Sequence, residues 1–232
     1  MKKRLVLALL LLPPFTGCDP HPSPTPEPNP RPHAAGLAIQ PSAPSATQPF
    51  DYYLLNLSWS PEFCYSHPAA AECASHPAFV LHGLWPQNTD GSYPQNCSNA
   101  SGPADPSQYA DIYPDSGLLQ HEWRTHGTCS GLSPDAFFTA ARAAFHSVAI
   151  PPTLTQLSSQ ISLPPAQILD LFTTANPAIA NSSLALSCGN NYLTAIEVCF
   201  NKQLQPTPCG PIRSCRANTV RIPPPQSPPQ NN

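Results

Sequence analysis

Two short segments of the sequence concentrate side chains that can move protons. The first runs from His82 to Pro86, and the second, from His121 to Cys129, contains Glu122 and His126. On a helix, Glu122 and His126 share a face, so the carboxylate can raise the pKa of the imidazole and orient its ring. His82, across a cleft, would complete an acid-base pair that takes a proton from one oxygen and gives one to another. Such a pair suits cleavage of a phosphodiester by a neighbouring 2′-hydroxyl, which needs no metal.

Metal and redox chemistry fit the same residues poorly. A zinc-protease motif needs a second histidine four residues after the first, and that position is Thr125. No Cys-x-x-Cys pair is present to suggest a zinc ribbon or a thioredoxin-type site. We therefore expect no metal and no cofactor. Each histidine alone could be a buried structural residue, but the combined pattern favours chemistry.

The elements that must position these residues are typical of an α+β domain. Alternation of apolar residues or helical spacing predicts strands over 50–60, 78–84, 184–187 and 192–200, and helices over 117–126, 134–148 and 167–174. Ser133 is a cap for the second helix, with Pro134 at its first position. Gly127 is expected to end the first helix and to leave room for a substrate beside His126. Helices cluster in the middle of the domain and strands at both ends, which favours α+β over alternating βαβ.

The two ends of the chain differ from this domain, predicted over residues 50–221. Residues 1–17 are basic and then apolar, and together with Cys18 they resemble a bacterial lipoprotein signal, in which Cys18 becomes the lipidated first residue. The alternative is an ordinary secretory signal cut nearby. Residues 18–49 are proline-rich and predict an extended spacer, with a ligand for a partner protein as the alternative, and residues 222–232 predict a disordered proline-rich tail. We expect an exported protein, periplasmic or extracellular, anchored to a membrane through Cys18.

Charge and cysteine content narrow the function further. Only 10% of the 232 residues are charged and the formal net charge is −3, which excludes a basic protein that holds nucleic acid by bulk charge. A polyanionic substrate must therefore be met by local charge. Of nine cysteines, eight remain when Cys18 is set aside, and in an exported chain they predict four disulfides, with 105 possible pairings.

The two motifs resemble the active-site signatures of the ribonuclease T2 family. His82 to Pro86 matches the first signature and His121 to Cys129 the second, in the family's order and separation. Phe50 to Cys64 is similar to the family's first strand and first cysteine, and Asp90 to Pro94 matches the stretch after the first signature. The resemblance covers roughly residues 50–221. It implies an α+β fold with a central, mostly antiparallel sheet, packed helices and disulfide bonds.

The resemblance also implies a role for each matched residue. His126 matches the general base that takes the 2′-hydroxyl proton, and His82 the general acid that protonates the leaving 5′-oxygen. Glu122 matches the carboxylate that supports the pentacovalent phosphorane, and His121 the histidine placed on the phosphate. The implied activity is that of a metal-independent endoribonuclease that leaves 2′,3′-cyclic phosphate ends on single-stranded RNA.

The base pocket and the phosphate site leave questions open. Trp85 and Tyr93 match aromatic residues that wall the base pocket, and Gln87 stands where some members have an acid that reads the base. Thr125 stands where the family usually has lysine, and Arg124 is the alternative phosphate-binding cation, although it lies about 100° away on the helical wheel. The second functional hypothesis is therefore a catalytically weakened T2-like protein that binds or anchors at the cell surface.

The resemblance further implies one disulfide pairing: Cys64–Cys73, Cys97–Cys129, Cys188–Cys215 and Cys199–Cys209. We expect an RNA substrate, no stable protein partner and a monomer. Because local histidines must attract the phosphates, activity is expected to be highest in mildly acidic buffer.

Overall fold

The computed structural model describes residues 49–75 and 77–225. The signal over 1–17, the lipidation residue Cys18, the spacer as far as residue 48, and residues 226–232 lie outside the described residues. No helix in the described part is long and apolar enough to cross a membrane.

Eleven helices and strands make up the described part of the chain, together with short 3₁₀ turns. In chain order they are β1 (Tyr52–Trp59), α1 (Ser60–Ser66), β2 (Phe79–Gln87), α2 (Ser116–Thr125), α3 (Pro134–His146), α4 (Pro152–Thr155), β3 (Ile161–Leu163), α5 (Pro165–Ala175), β4 (Leu184–Gly189), β5 (Tyr192–Phe200) and β6 (Val220–Ile222). The six strands form one sheet in the order β2-β1-β5-β6-β3, with β4 paired to β5. All pairs are antiparallel except β5 with β6. The predicted α+β fold with a mostly antiparallel sheet is confirmed.

The main core lies between one face of the sheet and the helices. Leu55, Leu57 and Trp59 of β1 are fully buried and belong to this core together with apolar residues of α2, α3 and α5. A smaller apolar cluster lies on the second face and contains Tyr52, Leu54, Cys199 and Cys209, with Trp85 and Ile212 packed against it. Both faces of β1 are therefore covered. This explains why the β1 residues on one face are apolar while those on the other face are only partly polar.

The α3 helix begins as its sequence predicts. Ser133 accepts a hydrogen bond from the backbone N–H of Ala136, and Pro134 is the first helical residue. The helix ends at His146, two residues before the predicted end. Phe137 is buried, whereas Phe145, two turns further along the same helix, is only half-buried.

One predicted boundary is wrong. Ile222 was assigned to the disordered tail, but it is the last residue of β6 and its side chain is fully buried. It pairs with Ile161 of β3, and the indole N–H of Trp59 donates to the carbonyl of Pro223 at 3.2 Å. Strands of three residues show too little alternation to be seen in a sequence.

The four disulfides have the pairing that the family resemblance implied: Cys64–Cys73, Cys97–Cys129, Cys188–Cys215 and Cys199–Cys209. The Cys97–Cys129 bond connects the loop after β2 to the turn that follows α2. It therefore joins the two segments that carry the candidate catalytic residues.

Candidate active site

A β-bulge in β2 sets the direction of His82. Asn56 of β1 pairs with Gly83, but Leu57 pairs with Leu81, so His82 has no partner in the ladder. In a regular strand, His82 and Trp85 are three residues apart and would point to opposite faces. The bulge brings their rings into edge contact, with centroids 5.4 Å apart.

Glu122 of α2 lies beneath these two rings. Its carboxyl is fully buried, and the indole N–H of Trp85 donates to Oε2 at 2.8 Å. Its other oxygen, Oε1, lies 3.7 Å from Nε2 of His82 and has no hydrogen-bond partner among the described residues. Burial raises the pKa of Glu122 to about 8, although the Trp85 hydrogen bond acts in the opposite direction. The group is therefore mostly a neutral carboxylic acid at neutral pH.

Gly83 makes the contact between Glu122 and Trp85 possible. A Cβ at this position would lie 2.0 Å from Oε2 of Glu122 and 2.2 Å from Nε1 of Trp85. Any side chain here would occupy the place of that hydrogen bond. The glycine of the first signature is therefore a packing requirement of the site.

His126 caps the C-terminus of α2. Its backbone N–H donates to the carbonyl of Glu122 at 3.0 Å, and its ring stacks on Trp85 with centroids 5.2 Å apart. Its Nδ1 is buried without a hydrogen-bond partner in the described part of the chain. Burial, with further contributions from His121 and His82, lowers the pKa of His126 to about 4.

This direction corrects one expectation from the sequence. The spacing predicted that Glu122 would raise the pKa of His126, but that pKa is lowered. The physical reason is burial, because a desolvated carboxyl whose own pKa is raised carries little negative charge to stabilise an imidazolium.

His82 is partly accessible. Its side chain is 43% exposed, and its Nδ1 lies 3.2 Å from the hydroxyl of Ser58 on β1. Burial, followed by the nearby His121, lowers the pKa of His82 from its usual value. Ser58 was not predicted as a site residue, although the strand pattern had placed it on the polar side of β1.

Gly127 has a different use from the one expected. A Cβ on this residue would lie 2.4 Å from Cε3 of Trp123 and 3.0 Å from Cδ1 of Phe137. The space beside it is filled by core side chains, so the glycine allows the backbone after His126 to pack on the core. It does not leave room for a substrate.

The remaining predicted residues surround this cluster at different distances. His121 is exposed, and its charge influences both His82 and His126. Arg124 lines a separate cleft of about 300 Å³ on the far side of α2, with Gln120 and Trp123. The structure thus brings together His82, Trp85, Glu122 and His126, but not Arg124.

The two other base-pocket candidates lie at and beyond the end of β2. Gln87 is buried, and its backbone carbonyl accepts a hydrogen bond from the backbone N–H of Asp51. Tyr93 is 54% exposed and follows a turn over residues 88–92. Neither side chain has a hydrogen bond to the cluster in the part of the chain that the structure describes.

A small cleft of about 140 Å³ opens beside His82. Ser58 and Phe63 line it on one side, and the acidic residues Glu72 and Asp115 also contribute to its wall. Burial raises the pKa of Glu72, while a hydrogen bond from Ser60 acts in the opposite direction. The cleft is large enough for part of one nucleoside.

One group of potential metal ligands occurs among residues 49–75 and 77–225. The sulfurs of Cys64 and Cys73 and the carboxylate of Glu72 lie within 4.8 Å of one another. Both sulfurs are joined in a disulfide, so they are not thiolate ligands. This group does not form a metal site.

The sequence matches a known family over most of its length. The model of the ribonuclease T2 family matches residues 50–209. A ribonuclease from Aeromonas hydrophila is 45% identical over 114 residues, which are 46% of this chain and 53% of that protein. A probable ribonuclease from Haemophilus influenzae is 29% identical over 185 residues, which are 71% of this chain and 63% of that protein. The chain thus spans between half and two thirds of these relatives.

Solved structures show the same fold. An RNase-related protein from Calystegia sepium has a TM-score of 0.63 at 23% identity, covering 76% of this chain and 98% of its own. RNase NT in complex with 5′-AMP has a TM-score of 0.56 at 20% identity, covering 77% of this chain and 99% of its own.

Proposed function

The chain belongs to the ribonuclease T2 family, and we propose that it is a metal-independent endoribonuclease that cleaves single-stranded RNA and leaves 2′,3′-cyclic phosphate ends. The observation that carries the proposal is the cluster of two histidines and a buried carboxyl around Trp85. Two imidazoles on either side of a neutral acid can serve an in-line transfer at phosphorus.

The proposed reaction begins at His126. Its pKa of about 4 leaves the ring neutral in mildly acidic buffer, so it can accept the proton of the 2′-hydroxyl. The 2′-oxygen then forms a bond to phosphorus, and the bond from phosphorus to the 5′-oxygen breaks. His82, protonated at the start, gives its proton to the departing 5′-oxygen, and the cyclic phosphate remains on the other fragment.

Glu122 supports the phosphorane in this proposal as a neutral acid. The family resemblance implies a carboxylate at this position, but the raised pKa of Glu122, about 8, favours the protonated form. A carboxylic acid at Oε1, which has no partner in the described residues, can donate a hydrogen bond to a phosphoryl oxygen. A carboxylate at the same place would repel it.

Trp85 acts as a positioning residue. Its indole donates to Glu122 while one face stacks on His126 and the ring meets the edge of His82. In this proposal the rest of the Trp85 ring walls the base pocket together with Tyr93 and Gln87. The 5′-AMP complex of RNase NT supports a nucleotide site in this fold.

Binding of the phosphate changes the protonation of the active-site histidine His82. Both His82 and His126 have lowered pKa values in the free protein because they are partly desolvated and lie near His121. A phosphodiester anion beside His82 offsets that repulsion and favours the protonated form that the general acid needs. In this proposal the exposed His121 contacts the phosphate.

We extend the proposal to where the protein works. The basic and apolar residues 1–17 followed by Cys18 support export and a lipid anchor. Mass spectrometry of the mature N-terminus tests it: a diacylated Cys18 is expected, and an unmodified N-terminus at another residue would contradict the anchor.

The activity is tested by RNA cleavage in the presence of a chelator. Purified protein is expected to degrade single-stranded RNA and to release 2′,3′-cyclic phosphate ends, identified by mass spectrometry. His126→Ala should reduce turnover by at least about 10²-fold, because general-base catalysis contributes that much. If the wild type has no activity that this substitution abolishes, the enzyme proposal fails and the second hypothesis is favoured, in which Thr125 in place of lysine marks a catalytically weakened T2-like protein that binds or anchors at the cell surface.

A further inference from the structure

The described residues leave few cations available to hold RNA. They include six lysines and arginines. Arg142 is paired with Asp111 at 2.6 Å, Lys202 lies over the ring of Phe50, and Arg221 lies over the ring of Tyr192.

Two further arginines stand on one loop. Arg213 and Arg216 are both exposed, and neither forms an ion pair within residues 49–75 and 77–225. The sixth cation, Arg124, lines a cleft on the far side of α2. Apart from Arg124, Arg213 and Arg216 are therefore the only lysines or arginines among the described residues that are held neither in an ion pair nor over an aromatic ring.

The loop that carries them is held in place at both ends. Cys209 is bonded to Cys199 of β5, and Cys215 to Cys188 of β4. Between them the backbone N–H of Cys215 donates to the carbonyl of Leu186 at 2.7 Å.

Two hydrogen bonds that involve side chains also hold this loop in place. The hydroxyl of Ser214 accepts a hydrogen bond from the backbone N–H of Leu186 at 3.1 Å, and the hydroxyl of Tyr52 donates to the carbonyl of Cys209 at 3.0 Å. A loop fixed in this way presents its arginines with little loss of backbone entropy on binding.

The loop lies on the sheet face that carries the active site. Ile212 packs against the apolar cluster of Tyr52 and Leu54, and Trp85 packs against the same cluster. Pro211 lies against Gly91, with its Cγ 3.4 Å from the position of a Cβ on that glycine. Gly91 belongs to the turn that leads to Tyr93, so the arginine loop packs against the segment that connects Trp85 to Tyr93.

The carboxylates at or near the turn that contains Gly91 already accept hydrogen bonds from neighbouring residues. Asp51 accepts hydrogen bonds from the backbone and hydroxyl of Thr89, and Asp90 accepts from the backbone and hydroxyl of Ser92. These bonds lower the pKa of both aspartates, and within the described residues neither carboxylate forms an ion pair with Arg213 or Arg216. Exposed guanidinium groups suit phosphates, which arginine binds through two parallel hydrogen bonds.

We propose that Arg213 and Arg216 form a phosphate-binding site for the RNA strand beyond the nucleotide at the scissile bond, on the Trp85 and Tyr93 side of the active site. The inference rests on the proposed ribonuclease function and adds to it the preference for a strand over a dinucleotide. Each arginine engages one backbone phosphate without reading a base.

The test compares the variant Arg213→Gln/Arg216→Gln with a control, Lys202→Gln/Arg221→Gln, which removes the same charge elsewhere. Substrates are a dinucleoside monophosphate and a single-stranded RNA of about 20 nucleotides. For the longer RNA we expect KM to rise about tenfold with kcat unchanged, and the dependence of log KM on log salt concentration to fall by about 1.4, the value for two phosphate contacts on a single strand. Dinucleotide cleavage by the variant, and both reactions of the control, should remain near wild type.

An equal rise in KM in both variants, no rise in the loop variant, or a loss of dinucleotide cleavage would each overturn the site. Failure of the ribonuclease proposal is distinguishable, since the wild type would then cleave neither substrate. In that case fluorescence anisotropy with a 2′-O-methyl oligonucleotide decides the matter: weaker binding by the loop variant alone supports the site, and equal binding refutes it.

Discussion

At the scale of single residues, burial determines the protonation states of the catalytic cluster. Glu122 has its pKa raised to about 8 and His126 has its pKa lowered to about 4, although the two belong to consecutive turns of one helix. Desolvation disfavours the charged form of each group, so it moves an acid upward and a base downward. At neutral pH both Glu122 and His126 are therefore uncharged in the free site.

The pH dependence of the reaction follows from these directions. The general base must be neutral, so kcat/KM is expected to rise as pH increases through about 4, the pKa of His126. The general acid must be protonated, and the pKa of His82 lies below its usual 6.5, so activity should fall before neutral pH. The measurement is kcat/KM against pH on a dinucleotide. An activity that still rises above pH 7 would contradict this assignment of roles.

Substitution of Ser58 tests the role of His82 as the general acid. If Nδ1–H of the protonated ring donates to the Ser58 hydroxyl, 3.2 Å away, the bond stabilises the imidazolium. Ser58→Ala should then shift the alkaline limb of the profile to lower pH and reduce kcat several-fold near pH 6, with little change in KM. Ser58→Thr retains the hydroxyl and should restore the limb. A uniform loss at every pH would indicate a purely structural role.

The groups that face His82 are the same in both variants. Glu122 and His121 lie on α2, His126 follows it, and Glu72 and Asp115 line the adjoining cleft. A difference in the limb between Ser58→Ala and Ser58→Thr is therefore attributable to the hydroxyl.

At the scale of elements, the site depends on how β2 and α2 meet. The bulge at His82 allows Leu81 and Leu84 to remain in the core while His82 turns toward Trp85. The α2 helix carries Glu122 beneath that strand. Its N-cap is Asp115, whose side chain accepts a hydrogen bond from the backbone N–H of Gly117 at 2.7 Å.

Gly83→Ala tests this junction. A Cβ would overlap both partners of the Glu122–Trp85 hydrogen bond, so we expect kcat/KM to fall at least about tenfold and the free energy of unfolding to fall by about 1–3 kcal/mol. Enzyme assays and denaturant melts measure the two effects. Gly102→Ala is the matched control, because its Cβ would meet Trp123 at an ordinary 3.5 Å. Similar losses in both variants would show that the effect is not specific to the junction.

At the scale of the whole molecule, the buried titratable groups couple the site to stability. Between pH 4 and 6.5 unfolding lets His126 bind a proton, so its contribution to stability rises with pH. Between pH 4.5 and 8, Glu122 is protonated in the folded state and ionised in the unfolded state. The contribution of Glu122 to stability therefore falls as pH rises. The two oppose each other up to pH 6.5, and above it the Glu122 contribution remains.

We therefore expect the free energy of unfolding to drop by about 1–2 kcal/mol between pH 6.5 and 8. Glu122→Gln, which imitates the neutral carboxylic acid, should remove most of this drop in denaturant melts at both pH values. Glu197 is also buried with a raised pKa, so Glu197→Gln is measured in parallel to separate its share. An unchanged drop in Glu122→Gln would mean that Glu122 is ionised in the folded protein.

The sequence predicted the longer elements well and the short ones poorly. The helix from Pro134 and the strands around Leu55 and Ile196 have clear periods and caps. The α1 helix was missed because seven residues with Pro61 in the first turn show no helical period. β6 was missed because its three residues acquire a role only by pairing with β3 and β5.

The sequence by itself determined which side chains are available for chemistry, and through its resemblance to the ribonuclease T2 family it determined the disulfide pairing. Only the tertiary structure decided that Trp85 holds Glu122, that Gly83 makes room for that contact, and that Ser58 meets His82. The physical reason is that burial and contact depend on residues far apart in the chain. Desolvation by the packed sheet and α2 sets the pKa of Glu122 and His126, and no local spacing contains that information.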